Sequence, residues 1–339
     1  MNGTFTKDEE VANPKHCPPH LVILGAGASR AAFPQGDRNG RILPLMQDFI
    51  SVLNLEPLFT EHGYDIKQQN IEDVYDDICT TAPASALRSE LESSIFNYFA
   101  SLELPDNPTI YDYLVLSLRP KDFIATFNWD PFLVQAVQRN GEHAKPPELL
   151  FLHGNVAVGH CMKCKCMGVY DWPCPRCGGR YERSKLLYPI SQKNYSSDPF
   201  IFTQWKTLQD VLNVAPMVTI YGYGAPPSDV EAINLFKEGW GASRDREMEQ
   251  IEMINKLSEK ELCRTWDPFI HSDHYQYTGD FFTSWIAKHP RRTVEAYFAQ
   301  HWEARFTQTN IPTHSPSLTD LWEWYGNLVA REDDSTQQT

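Results

Sequence analysis

The chain has 339 residues, 42% of them apolar and 22% charged, enough to bury a sizeable core and too apolar for a chain disordered as a whole. Its formal net charge of −14 argues against direct nucleic-acid binding and against an anionic membrane surface, because both draw on basic patches. The length suggests about two units, or one domain carrying insertions.

Residues 1–16 are polar, lack the apolar run of an export signal, and are expected to form a flexible leader. The longest apolar runs, such as 149–152 and 216–220, fall far short of the ~20 residues that cross a membrane as a helix. The short apolar run 20–24 ends in Gly25-Ala26-Gly27-Ala28-Ser29, the pattern of a buried strand turning into a helix. Segments 45–59, 71–80, 84–100 and 109–118 read as helices and make up a helical insertion over about 43–118. Strand signals return at 122–126, followed by Asn128-Trp129-Asp130 and a helix over 131–139 that opens with Pro131. A further strand at 149–152 runs into His153-Gly154-Asn155.

Past the cysteine-rich stretch 159–181, residues 185–190 read as a strand and 198–214 as a helix. The strand 216–221 ends in Gly222-Tyr223-Gly224, with a helix at 226–237. Ile251 and Met253 alternate with Glu252 in a strand at 250–254, against which a helix over 245–262 competes. The aromatic C-terminal third reads as helical over 278–306 and 317–325, and its tryptophans as core and inter-subunit packing. The basic cluster 288–292 reads as a solvated turn or a helix start, and 331–339 as a polar tail.

Strands alternating with helices predict an α/β, doubly wound parallel sheet of Rossmann-like type, with a small zinc-ribbon module and a helical insertion. The main domain would comprise 17–158 and 182–330, interrupted by the zinc module at 159–181. In such sheets ligands sit beyond the carboxyl ends of the strands, where the strand order switches. Four strands here end in Gly, Asn, Asp or His, and those residues would all face one crevice.

The glycine turn offers close backbone approach and a helix start for a phosphate. It lacks the third glycine of the dinucleotide fingerprint, because position 30 is Arg, which disfavours a Rossmann dehydrogenase. Five of the eight cysteines lie within 161–177. Cys161-x-x-Cys164 and Cys174-x-x-Cys177 make two thiolate knuckles, the donor set of a closed, structural Zn²⁺ site in a reducing, cytoplasmic compartment, with Cys166 an alternative to Cys164. Asn128 and His153 form the candidate catalytic pair: an imidazole that accepts a proton near neutral pH and an amide that holds a water or a ribose hydroxyl.

Taken in order, these motifs resemble the sirtuin superfamily over roughly residues 20–255. The match runs through the turn 25–29, Thr126-Phe127-Asn128-Trp129-Asp130, His153-Gly154, the two knuckles closing at Cys177-Gly178-Gly179, and Gly222-Tyr223-Gly224. Two departures bear on activity. Phe127 stands where protein-deacylating sirtuins carry Gln, and Leu187-Tyr188-Pro189-Ile190 stands in place of the Phe-Gly-Glu stretch that helps build their acyl-lysine channel. The stretch 221–229 is similar to divergent bacterial sirtuin-like domains of antiphage defence, and that resemblance implies cleavage of NAD⁺ itself inside an oligomer switched on by a partner.

The expectation is therefore an NAD⁺ nucleosidase with Asn128 and His153 catalytic. NAD would lie along Gly25, Ala26, Gly27, Ala28, Ser29, Asp130, Gly222, Tyr223 and Asn255, and zinc on Cys161, Cys164, Cys174 and Cys177. The alternatives are an NAD-dependent protein lysine deacylase and a non-catalytic assembly module gated by NAD or ADP-ribose.

Overall fold

The computed structural model describes residues 18–336 except 67–69, 82–84, 191–193, 226–228, 242–249, 267–274, 313 and 316. The expected leader with Cys17, the Pro226-Pro227-Ser228 part of the resemblance and the last three residues lie outside the described residues. In chain order the elements are β1 (His20–Leu24), α1 (Ala26–Ala32), α2 (Phe49–Val52), α3 (Glu56–Glu61), α4 (Ile71–Thr81), α5 (Ala86–Ala100), α6 (Ile110–Ser117), β2 (Phe123–Thr126), α7 (Phe132–Asn140) and β3 (Glu148–Phe151). There follow β4 (Val158–His160), β5 (Met167–Val169), β6 (Glu182–Arg183), α8 (Pro199–Leu212), β7 (Met217–Tyr221), α9 (Val230–Trp240), β8 (Gln250–Ile254), α10 (Glu259–Trp266), β9 (Tyr275–Thr278), α11 (Trp285–Lys288), α12 (Thr293–Tyr297) and α13 (Leu318–Thr336).

The main sheet has six strands in the order β3-β2-β1-β7-β8-β9, all pairs parallel. Numbered along the chain, these strands stand 3-2-1-4-5-6, the doubly wound dinucleotide-binding order. β1 is central and fully buried because it is apolar on both sides: Leu21 and Ile23 pack on one face, Val22 and Leu24 on the other. Helices α8, α9 and α10 cover the first face, and the helical insertion together with α13 covers the second. The switch in strand order falls between β1 and β7, whose register is fixed from His20↔Met217 to Leu24↔Tyr221.

Glycines make that switch possible. Gly222 has φ +63°, and a Cβ there would stand 2.0 Å from the Ala28 nitrogen. A Cβ on Gly25 or Gly27 would lie 2.7 Å from the Gly222 carbonyl oxygen. The gap is closed by hydrogen bonds: Gly25 N–H donates to the Tyr221 carbonyl at 3.0 Å, and Gly27 N–H to that of Gly222 at 2.9 Å.

Several expected elements differ. Residues 185–190 form no strand but an irregular strap. The expected helix 45–59 is split into α2 and α3, with Asn54 at φ +52° between them. The expected helix 278–306 is instead the end of β9, a 3₁₀ turn at Phe281–Thr283, α11, α12 and a π turn at Phe298–Trp302. Pro290 and Arg291 at φ +64° interrupt it. Of the two readings of cluster 288–292 the helix start holds, with Arg292 at the N-cap of α12, and the solvated turn does not: Arg291 and Arg292 are buried, and Arg291 donates to the Leu116 and Leu118 carbonyls and pairs with Glu332. That pairing draws α13 past 325 into the expected tail, with Leu321, Tyr325 and Leu328 as its buried face. Among the described residues no helix is long and apolar enough to cross a membrane.

The Gly222→Ala variant should lose roughly 2 kcal/mol or more of stability in urea unfolding, as expected when a Cβ is forced into backbone at positive φ. Gly224→Ala, where a Cβ would meet nothing within 4 Å, should unfold with the wild type; equal midpoints for the two variants would refute the contact's importance.

Candidate functional site

The carboxyl ends of β1, β2, β3, β7, β8 and β9 surround a cavity of about 1000 Å³, roofed by the segment 43–49 and by α4 and α5. Of the residues expected to meet the dinucleotide, Ala26, Gly27, Ser29, Asp130, Gly222, Tyr223 and Asn255 line it, together with the catalytic candidates Asn128 and His153. Gly25 and Ala28 do not appear in its wall: Gly25 is the close-packed crossing described above, and Ala28 is fully buried.

Ser29, Tyr111, Asn128 and Asp130 form one buried hydrogen-bond hub. The Asn128 amide nitrogen donates to the Gly25 carbonyl at 2.9 Å, which fixes the orientation of the side chain because a carbonyl can only accept. Its second hydrogen goes to Ser29 Oγ at 2.9 Å. Ser29 in turn donates to Asp130 Oδ2 at 2.7 Å and accepts from Tyr111 O–H at 2.6 Å. The serine's single proton and both lone pairs are then used, so the hydroxyl has no capacity left for a phosphate. Asn128 Oδ1 has no partner among the described residues, so what this amide offers a ligand is an acceptor. Burial raises the Asp130 carboxyl to about 6, against the lowering effect of Ser29 and the Phe132 N–H. Burial also pushes the Tyr111 phenol well up, keeping it a neutral donor.

Asn155, fully buried, donates to the Asn128 and Asp130 carbonyls at 3.2 and 2.7 Å and clips the 128–130 turn to the loop after β3. His153 sits on that loop, its ring edge-on to Phe127 at 4.7 Å. Phe127 stacks on Tyr223 at 4.1 Å, giving the imidazole an apolar floor. His153 Nε2 meets the Tyr195 hydroxyl at 3.1 Å. Tyr111 and Tyr195 were not expected from the sequence, and Asn155, although part of the polar strand end His153-Gly154-Asn155, had no expected role; the partners of the three lie 25 to 82 residues away. The charged groups in the wall are Arg30 and Lys256 against Glu72, Asp130, Asp229 and Asp280. Arg30 is held at the roof by the Leu43 carbonyl and Asp48.

Apart from the cavity, β5, β4 and β6 pair antiparallel as a small three-stranded sheet around the knuckles. The sulfurs of Cys161, Cys164, Cys174 and Cys177 all lie within 4.8 Å of one another. Zinc bound by thiolates at about 2.3 Å needs sulfurs about 3.8 Å apart, so the donor set fits. Both knuckles fold alike. Lys165 and Gly178 each stand four residues after the first cysteine at positive φ and return an N–H to its carbonyl at 2.8 Å. Cys166 flanks the group, 3.6 Å from Cys174 and 3.7 Å from the Tyr181 hydroxyl.

No protein-family model and no curated protein matches the chain. Among solved structures it is similar to a Sir2 homologue mutant in complex with ADP-ribose, at 12% identity over 98% of this chain and 97% of that one, with a TM-score of 0.38. It is also similar to a Sir2 homologue–NAD complex (13% identity, 88% and 93% covered, TM-score 0.35). A structure titled for the structural basis of sirtuin substrate affinity matches at 14%, with 78% and 89% covered and a TM-score of 0.39. Superpositions this loose carry nothing about activity, and the fold stands on the strand order.

Two measurements test this account of the site. A native Asp130 that holds its proton up to about 6 binds more protons than the unfolded chain from pH ~4 to ~6. Its contribution to stability therefore falls as pH rises through that window. Wild type minus Asp130→Asn unfolding free energy should decline from pH 4 to 6 and level off above; a rising difference would contradict the buried, poorly solvated carboxyl. For the knuckles, the purified protein should carry one zinc per chain by elemental analysis, and Cys174→Ser should lose it.

Proposed function

We propose that the protein cleaves NAD⁺ at the nicotinamide–ribose bond, releasing nicotinamide and ADP-ribose. One observation carries the reading: the cavity at the β1/β7 switch has both an amide with a spare acceptor, Asn128, and an imidazole, His153, in its wall. The order of motifs that resembles the sirtuin superfamily supports the same ligand.

The scissile bond joins a cationic pyridinium to a carbon that becomes oxocarbenium-like as the bond breaks. The bonding pair leaves with nicotinamide, which departs neutral, so the protein need supply little acid. It has to hold the ribose, exclude bulk water and admit one nucleophile. Asn128 Oδ1 accepts from a ribose hydroxyl or from the attacking water, and His153 takes the proton that water sheds. Asp130 and neighbouring backbone hold the carboxamide. The Ala26–Gly27 backbone follows the pyrophosphate, and Gly222, Tyr223 and Asn255 line the adenosine side. Ser29 acts through the hub, holding Asn128 and Asp130 in place. The apolar floor of Phe127 and Tyr223 lowers the local dielectric around the developing charge.

As the resemblance to defence domains implies, the activity would serve an abortive-infection effector that oligomerisation or a protein partner switches on. An NAD⁺-cleaving enzyme active at all times would deplete its own cell, which accounts for such control.

Chromatography of NAD⁺ incubated across a protein concentration series should show nicotinamide and ADP-ribose in equal amounts. Asn128→Ala and His153→Ala should each lose at least about 100-fold in rate, as for a positioned acid–base group, while calorimetry still detects NAD⁺ binding to His153→Ala. Release that requires an acetyl-lysine peptide, or that survives both substitutions, would defeat the reading.

A further inference from the structure

The strap between the zinc module and α8 passes directly beside His153. Ser184 starts it, donating to the Asn155 carbonyl at 2.8 Å. The Lys185 carbonyl oxygen then lies where a Cβ on Gly154 would be, 2.0 Å from it. Leu187 N–H donates to the His153 carbonyl at 2.9 Å, and Leu187 and Pro189 turn into the cavity wall. Tyr188 faces the other way and closes the gap to the helical insertion. Its ring sits 5.4 Å from Tyr75 of α4 and 5.5 Å from Trp129, and its hydroxyl donates to the Glu92 carbonyl of α5 at 3.1 Å. At the head of the strap the Arg183 guanidinium lies 3.7 Å over the Phe96 ring of α5. The strap is thus clasped to the roof at two points on the side of the cavity where His153 stands.

We propose that Tyr188 is a specificity-determining residue that restricts the acceptor in the cleavage to nucleophiles of about the size of water. This rests on the NAD⁺-cleavage reading and deepens it. The carbon released by nicotinamide forms a bond to whatever oxygen lies next to His153. Water gives ADP-ribose, and an alcohol would give its O-alkyl ADP-ribose, the hydroxyl proton passing to His153 in either case. An acceptor that enters beside His153 through the gap between the strap and the roof meets the packed Tyr75, Tyr188 and Trp129 rings there.

The experiment incubates the full-length protein and NAD⁺ with methanol or with 1-butanol and separates the products by liquid chromatography and mass spectrometry. Wild type should form methyl but not butyl ADP-ribose. Tyr188→Ala should raise the butyl fraction at least about tenfold, the scale on which pockets discriminate small apolar groups, with total nicotinamide release within about threefold of wild type. Tyr188→Phe keeps the ring and should keep the wild-type partition. Nicotinamide release with an unchanged partition in Tyr188→Ala, or a wild type that makes both adducts equally, overturns this proposal and leaves the cleavage reading standing.

If no variant releases nicotinamide, the cleavage reading falls, and access is decided by labelling. In a His153→Cys background, iodoacetamide and a fluorescein maleimide are compared at position 153 by peptide mapping. The bulky reagent should react at least about tenfold faster once Tyr188 is also Ala; equal rates overturn the proposal.

Discussion

The site depends on two stretches of backbone lying against each other at the switch in strand order. The loop leaving β1 and the loop leaving β7 diverge to opposite faces of the sheet, yet they start from neighbouring strands. Gly25, Gly27 and Gly222 let them cross in contact, and the Gly25 and Gly27 N–H groups bond to the Tyr221 and Gly222 carbonyls across the crossing. The expected use of these glycines was close approach to a ligand. Much of their freedom is instead taken up by the protein itself, and the ligand-facing surface of the turn reduces to Ala26 and Gly27. The crossing also fixes where α1 begins, and so where Ser29 stands.

From Ser29 the constraint passes into side chains. A buried hydroxyl or amide left unpaired costs roughly 1–3 kcal/mol, so the closed circuit of Ser29, Tyr111, Asn128 and Asp130 has little tolerance for rearrangement. The circuit commits the donor end of Asn128 and turns its oxygen outward, which narrows its chemistry from a two-way hydrogen-bonding group to an acceptor. Asp130 is kept in a poorly solvated position where a single serine proton and a backbone N–H stabilise its charge. Asn155 ties this circuit to the loop carrying His153. Two catalytic candidates on different strands are thereby held by one connected set of bonds and do not depend on two independent loops.

What the sequence made legible follows from how local its signals are. Central parallel strands are buried on both faces and read as apolar runs, which is why β1 and β7 stand where the pattern put them, whereas β8 shows only an alternation around Glu252, with a helix competing, although all five of its residues are buried. The knuckles announce themselves because all four ligands lie within seventeen residues of chain. β9 carries Tyr-Gln-Tyr-Thr at the sheet edge, half exposed, and has no apolar run to find. Arg291 and Arg292 read as surface because their charge is local, whereas their partners are remote: Glu332 and the Leu116 and Leu118 carbonyls for Arg291, and the Gln308 carbonyl for Arg292. Tyr111 and Tyr195 escaped for the same reason, each mattering through a partner on another element, and Asn155 was visible in its strand end while its partners at 128 and 130 were not.

The cysteine module shows how a structural group can bear on a cavity it does not touch. Its four sulfurs stand apart from the cavity, yet β6 ends at Arg183 and the chain continues without a break into the strap beside His153. Ser184 bonds the Val158 carbonyl through its N–H and Asn155 through its hydroxyl. The strap's starting point is therefore set by the same small sheet that the knuckles close, and its far side by Tyr188 on the helical insertion. Metal held by the knuckles would stabilise the small sheet, the sheet sets the path of the strap, and the strap shapes the wall around the imidazole. A closed Cys₄ site leaves no open coordination position, and its connection to the wall around His153 runs through the strap, through the Ser184 hydrogen bonds to Val158 and Asn155, and through the short link from His153 into β4.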